Sequence, residues 1–383
     1  MLMNSMKLLW IIPPPILIIM LAWPGAAIMS ARLSRPDIFF SITVDAAFRA
    51  SEAGRLIQRR FTKRTLLASV IGLALLAIGL FLPVPVPPRL GLVLLGFAVQ
   101  NVGIVRAYSA ARRAVQPHHA EPSTEREAAL EPRRVPMPGG WAGQSGPFLI
   151  LALAAAWIWL HWDAIPNRFP IHWDLVGHPN GWASKSAGSV FVSPISGAAT
   201  CLLLALLFKS LAGGVRRIHS SGPEADRESR NLKYIMRAML GMEYGMALMF
   251  GYLALTPLLA GQNRTAFSNP LVITLPIAAV LGMVVVLLVV CIRGGQGGWR
   301  LGAKTARATP SSGPAPAGDR TPDECWKGGL VYYNRADPAL WVEKRFGIGW
   351  TLNFGNPRSW MVMGGILFFA AGIAGLSILL VRK

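Results

Sequence analysis

The sequence predicts an all-α integral membrane protein of about eight transmembrane helices, with a small strand-helix-strand unit before the last helix. Three observations carry that reading. Hydrophobic residues make up 53% of the chain and charged residues only 15%, a membrane balance rather than a globular one. The apolar residues gather into runs of about twenty, enough for a helix to cross ~30 Å of hydrocarbon. Lys and Arg lie between those runs, alternately dense and sparse.

The apolar runs occupy residues 8–29, 66–86, 90–108, 147–162, 189–211, 235–260, 270–292 and 359–381. The first is broken by Pro13-Pro14-Pro15 and lacks a small-x-small cleavage site, so it reads as a retained span rather than a signal peptide. Of the 38 Lys and Arg, eight fall in 30–65, six in 106–146, seven in 209–237 and ten in 293–358. The other side holds Lys7, Arg89, Arg168, Lys185, Arg264, Arg382 and Lys383. Basic loops resist translocation, so these four face the cytoplasm of a bacterial cell membrane, and both termini face outward with the 161–188 loop. A net charge of +20 in a soluble chain would suggest nucleic acid. Its placement between spans points to membrane lipids instead, with no nucleic-acid partner.

The organisation follows. Residues 1–29 hold the first helix and 30–65 a basic amphipathic loop, in which Asp45 caps a helix through about Arg64 suited to an anionic leaflet or to solvating a charge run. A two-helix hairpin at 66–108 leads to a linker at 109–146. A membrane unit at 147–211 carries the outer loop, and a basic loop at 212–234 precedes a second hairpin at 235–292. Residues 293–325 form a second linker, and its stretch 303–322 lacks the apolar content to pack. A small domain at 326–358 precedes the last helix at 359–383. There, Leu330–Asn334 reads as a strand, and Asp337-Pro338 opens a short helix through Arg345. Gly347 and Gly349 turn the chain into a second strand, Trp350–Phe354. Lys327, Tyr332, Trp341, Lys344 and Arg345 offer a docking platform for headgroups or a cytosolic partner; the alternative is a clip that orients the last span.

The outer loop runs Ile165-Pro166, Pro170-x-His172-Trp173, Gly177-x-Pro179-Asn180-Gly181-Trp182, Lys185. This run resembles a domain of unknown function (1648 type) of bacterial multipass membrane proteins, whose relatives include the immunity protein against the sporulation-delaying toxin. Asn180 stands where that pattern has Asp, and His161-Trp162-Asp163 lies outside it. The segment 326–354 is similar to a second such domain (5808 type), and Arg35-Pro36 through Val44 resembles the start of the same proteins. The resemblance implies protection of the cell and relay of a toxin's presence to a cytoplasmic regulator, with no residue-level mechanism attached. Read from its residues, the outward aromatic and histidine loop offers a recognition surface for a peptide or lipid, built from His172, Trp173, Gly177, Pro179, Trp182 and Lys185.

Three chemistries stay open at the residue level. His161, His172, Asp174 and His178 supply metal donors, yet their spacing matches no established zinc motif, and no cofactor is assigned. His172 with Asp174 could perform acid/base work, but no nucleophile motif accompanies them, so no enzyme activity is expected. Trp157, Trp159, Trp162, Trp173 and Trp182 read equally as an interfacial belt. Within the membrane Glu243 is costly and therefore a functional candidate, as a proton-coupling site or as a structural partner of Arg237, Gln100 or Asn101. The sequence favours a non-enzymatic sensor or immunity-like protein; the alternatives are a proton-coupled transporter using Glu243 and a metal-dependent hydrolase at the outer loop.

Overall fold

The fold is given by a computed structural model, which describes residues 13–81, 86–121, 136–173, 179–215, 222–262, 271–301 and 318–381. Eight apolar helices occur among them: α1 (Pro13–Leu33), α3 (Glu52–Phe81), α4 (Val86–Val115), α5 (Gly140–Leu160), α6 (Ala187–Gly214), α7 (Gly222–Gln262), α8 (Leu271–Gly294) and α9 (Pro357–Val381). Five of the eight are long and apolar enough to cross a membrane; the other three carry shorter apolar runs at Leu17–Leu33, Ala278–Gly294 and Pro357–Ile373. Each expected span corresponds to one helix. The chain is a multipass, predominantly helical membrane protein.

Two helix groups form. In the first, α3 and α4 pack along their length and α1 joins them, with Gln100 Nε2 donating to the Met20 carbonyl at 2.7 Å. The α3–α4 contact is backbone to backbone: a Cβ on Gly96 would lie 2.5 Å from the Gly72 carbonyl oxygen. Small residues allow this approach, and in lipid such close packing replaces the hydrophobic drive available in water. In the second group α7 is central and packs against α5, α6 and α8.

The basic segment 45–64 differs from its expectation as a single surface helix. Asp45 does cap a helix, accepting from Ala47 N at 2.8 Å, but that helix, α2 (Ala46–Ala50), stops at Ser51. A new thirty-residue helix, α3, then carries Arg55 through Arg64 straight into the second span. Part of its apolar face is covered within the protein: Phe61 is buried, and Phe48 and Ile57 pack with it against Phe40, Ile104 and Tyr108, while Leu56 is exposed.

At one end of α5–α7 lies a hairpin, β3 (Arg168–Trp173) against β4 (Pro179–Ser184). At the other end, which carries most of the basic residues, sits a compact body joining chain segments far apart in sequence. It contains β1 (Ile38–Phe39) with β2 (Ile42–Thr43), β5 (Trp326–Lys327) with β6 (Val331–Tyr332), and β7 (Trp341–Glu343) with β8 (Trp350–Leu352), each pair antiparallel.

Two expectations for this body are corrected. The short helix from Pro338 to Arg345 does not form. Asp337 accepts from Ala339 N in a local turn, and the chain then enters β7, whose Trp341, Val342 and Glu343 pair with Leu352, Thr351 and Trp350. Gly347 and Gly349, at φ +95° and +91°, close this hairpin in a conformation open to glycine. The linker through residue 322 is likewise not wholly without packing. Asp319 and Thr321 are buried in the body, because their polar groups bind an arginine rather than needing an apolar core. The rest of that stretch, 303–317, lies outside the described residues.

Candidate functional site

The hairpin is seated by its apolar side. Ile165, Phe169 and Ala183 are buried with Ile158 of α5, Val190 of α6, and Ala254 and Leu258 of α7. Register pairs Phe169 with Ala183, Pro170 with Trp182 and His172 with Gly181; irregularities flank His172, where Pro170 has already interrupted the ladder. Ser186 then caps α6 through a reciprocal box with Ser189.

The expected recognition residues separate into two kinds. Lys185 is a tie: its Nζ donates to the Ile165 carbonyl at 3.1 Å and lies 5.1 Å from the Trp162 ring centroid. Trp182 is 45% exposed, with the Arg168 guanidinium 5.9 Å from its ring, and so is an available aromatic surface among the described side chains of the hairpin. His172, Trp173 and Pro179 lie on the strands near the hairpin tip. Gly177 falls outside the described residues, as do Asp174 and His178. His161 stacks on Trp157 at 4.3 Å and pairs with that residue's carbonyl, so its ring belongs to the end of α5. Among the described residues no three His, Cys, Asp or Glu side chains come together in a way that could hold a metal.

Glu243 lies at the middle of α7, fully buried, and neither carboxylate oxygen has a hydrogen-bond partner. The suggested partners on α4 are engaged elsewhere: Gln100 binds Met20, and Asn101 donates to the Phe97 carbonyl. Cys201 of α6 is buried beside it, with Sγ 3.9 Å from the Glu243 carbonyl oxygen.

The body at the basic end is organised by Arg345, which is 0% exposed. Its Nε and Nη2 donate to the two Asp319 oxygens at 3.0 and 2.8 Å, Nη1 donates to Asp323, and further bonds reach the Ser41 and Thr321 carbonyls. Burial alone would lower the Arg345 pKa, but the two carboxylates outweigh it and raise it; burial alone would raise Asp319, which Arg345 instead holds below the usual range. Asp323 also accepts from Thr43 N and Oγ1, so β2 is bound to the same cluster. Asn353, fully buried, accepts from Asn334 N and Gly355 N and donates to the Asn334 and Asp337 carbonyls. Phe346, at the β7–β8 turn, inserts between Phe40, Phe61 and Tyr108 and couples the body to α3 and α4.

The docking platform is therefore corrected in part. Arg345 and Tyr332 are interior, Tyr332 donating to Asp337 at 2.9 Å, and Trp341 Nε1 donates to Ser210 of α6 at 2.9 Å. These three hold the unit together or to the membrane helices. Lys327 and Lys344 alone of the five are exposed. Sequence reasoning missed Asp319, Asp323, Asn353 and Glu343; an available signal was the pairing of two acids around Thr321-Pro322 in a strongly basic chain.

Residues 148–197 match the family described as Domain of unknown function (DUF1648), and residues 335–360 match the Family of unknown function (DUF5808). Each match covers a short segment of the chain. Its DUF1648 match opens in α5, centres on the β3–β4 hairpin and ends in α6; its DUF5808 match covers the β7–β8 hairpin and enters α9. No curated protein and no solved structure matched the chain.

Proposed function

We propose that the protein is a non-enzymatic, immunity-like sensor of the bacterial cytoplasmic membrane. Its DUF1648 hairpin faces outward and recognises a peptide or lipid, and the body at the basic end faces a cytoplasmic regulator. The observation that carries this reading is α7. Its 41 residues extend about 62 Å, twice the hydrocarbon thickness. Near one end Ala254 and Leu258 pack under the hairpin, and near the other Leu232 and Met236 pack against Leu211, Trp341 and Trp350. One continuous helix thus touches both the hairpin and the inner body. The alternation of basic loops supports the orientation.

A relay can be tested without knowing the ligand. A single-domain antibody raised against the hairpin is added to right-side-out vesicles, and amide exchange is read at residues 296–301 and 341–352. Altered protection is expected; unchanged exchange in both segments with the antibody bound would refute the relay. For recognition itself, Trp182→Ala should weaken binding of a membrane-active peptide by about tenfold or more, the usual loss for an interfacial tryptophan. Equal binding by wild type and variant would remove the hairpin from the recognition surface.

Glu243 favours a second reading, proton-coupled transport, because a buried carboxylate without a hydrogen-bond partner has no evident structural task. In proteoliposomes Glu243→Gln should then abolish proton-linked flux, and flux at the wild-type rate would exclude it.

A further inference from the structure

We propose that a groove between α3 and α4 binds an anionic phospholipid from the leaflet at the basic end. The groove measures about 650 Å³, within the range that ordinarily holds a ligand. Its floor is formed where the two helices touch: a Cβ on Gly103 would fall 2.3 Å from the Ala68 Cβ. Leu67 and Ile71 make one wall, and Leu95 and Val102 the other. All four are well exposed, so the groove offers apolar surface sideways to the bilayer.

Its polar groups are concentrated at one end. Arg64 of α3 and Arg106 of α4 line it there, both exposed, and among the described residues neither guanidinium has a hydrogen bond or ion pair. Arg64 stands one turn from Ala68, and Arg106 one turn from Gly103, so the two flank the point where the helices close together. They lie at the basic ends of their spans, where, on the orientation proposed above, side chains meet lipid headgroups. Two free guanidiniums above an apolar slot match a phosphodiester above acyl chains, since arginine presents a planar fork to phosphate. Basic pockets between membrane helices on the positive side suit anionic headgroups. A soluble anion would leave the slot below empty, whereas a lipid uses both parts.

Native mass spectrometry of the detergent-purified protein tests this with phosphatidylglycerol and phosphatidylcholine of identical chains. Wild type should retain the anionic lipid by about tenfold or more over the zwitterionic one, as two basic side chains at an anionic surface give. The double variant Arg64→Gln, Arg106→Gln should lose that preference. Val102→Trp, which fills the exposed slot and keeps both arginines, should lose it as well. Arg55→Gln with Arg59→Gln, outside the groove, should not. The proposal is overturned if Val102→Trp binds like wild type, if the Arg55/Arg59 pair matters as much as Arg64/Arg106, or if millimolar inorganic phosphate displaces the lipid.

Discussion

Arg345→Ala should unfold the body at the basic end while leaving the membrane helices inserted. Removing the guanidinium strands Asp319 and Asp323 against buried carbonyls, and breaking a buried pair in this way costs about 3–5 kcal/mol. The Ser41 and Thr321 carbonyls lose a donor at the same time. Lysine is no substitute, because one ammonium cannot reproduce a fork that serves two carboxylates and two carbonyls. Limited proteolysis in detergent reads the outcome: new cleavage between residues 318 and 356, with fragments spanning α3–α4 intact. Adding Asp319→Asn and Asp323→Asn should restore part of the protection, since the stranded charges are then gone. If Arg345→Ala resists protease as wild type does, the buried cluster does not hold the body together.

The second large effect is a dependence on pH. Burial pushes the Glu343 carboxyl up to about 8, with the charge of Glu228 adding to it and that of Arg35 opposing. Its Oε2 is buried without a hydrogen-bond partner, and Gly297 leaves room for the carboxyl because it has no side chain. The folded state therefore holds a proton at neutral pH that the unfolded chain releases near the ordinary carboxyl value. Stability conferred by that proton is complete below about pH 4.5 and is lost as pH rises through about 8, a loss on the order of a few kcal/mol. Asp319 works in the opposite sense: its contribution is present at neutral pH and is lost only in acid. Between pH 6 and 9 the melting temperature of the body, followed by exchange at 341–352, should fall in wild type and stay nearly level in Glu343→Gln. Parallel profiles would show that Glu343 does not carry the dependence.

The membrane half of this fold was legible and the inner body was not, for a physical reason. A span announces itself locally: twenty apolar residues need no partner to be identified, and Lys and Arg placement suggests the alternation. The body obeys no local rule. Its strands are two or three residues long, too short for an alternating pattern, and its cohesion comes from polar side chains meeting across the chain. Asp337-Pro338 reads as a helix start, and Asp337 does cap a turn, but pairing of Trp341–Glu343 with Trp350–Leu352 overrides the helix. Arg345 looked like a surface cation because sequence cannot show that Asp319 and Asp323 turn back to it. At the outer loop the histidines drew attention by repetition, yet His161 is occupied by Trp157, and among the loop's described side chains the exposed aromatic is Trp182. Glu243 was visible because a carboxylate inside an apolar run is unusual wherever it pairs.

The union of residues 34–44 with 318–356 also sets an order of events during synthesis. Ser41 and Arg345 are 304 positions apart, and Ser34 and Arg345, joined through the arginine carbonyl, are 311 apart. When α1 and α3 enter the bilayer, the β1–β2 segment between them has no Arg345 to donate to its Ser41 carbonyl and no Asp323 to accept from Thr43. It must wait while α4 to α8 are made. Only the arrival of the last inner segment completes it, and α9 follows from Pro357, three residues after Phe354 donates its backbone to Tyr332. The body thus works as a clasp that closes when every span has been delivered. A chain stalled or truncated before Asp319 exposes an open acceptor-rich segment at the membrane surface, a mark by which quality control could tell it from a finished one.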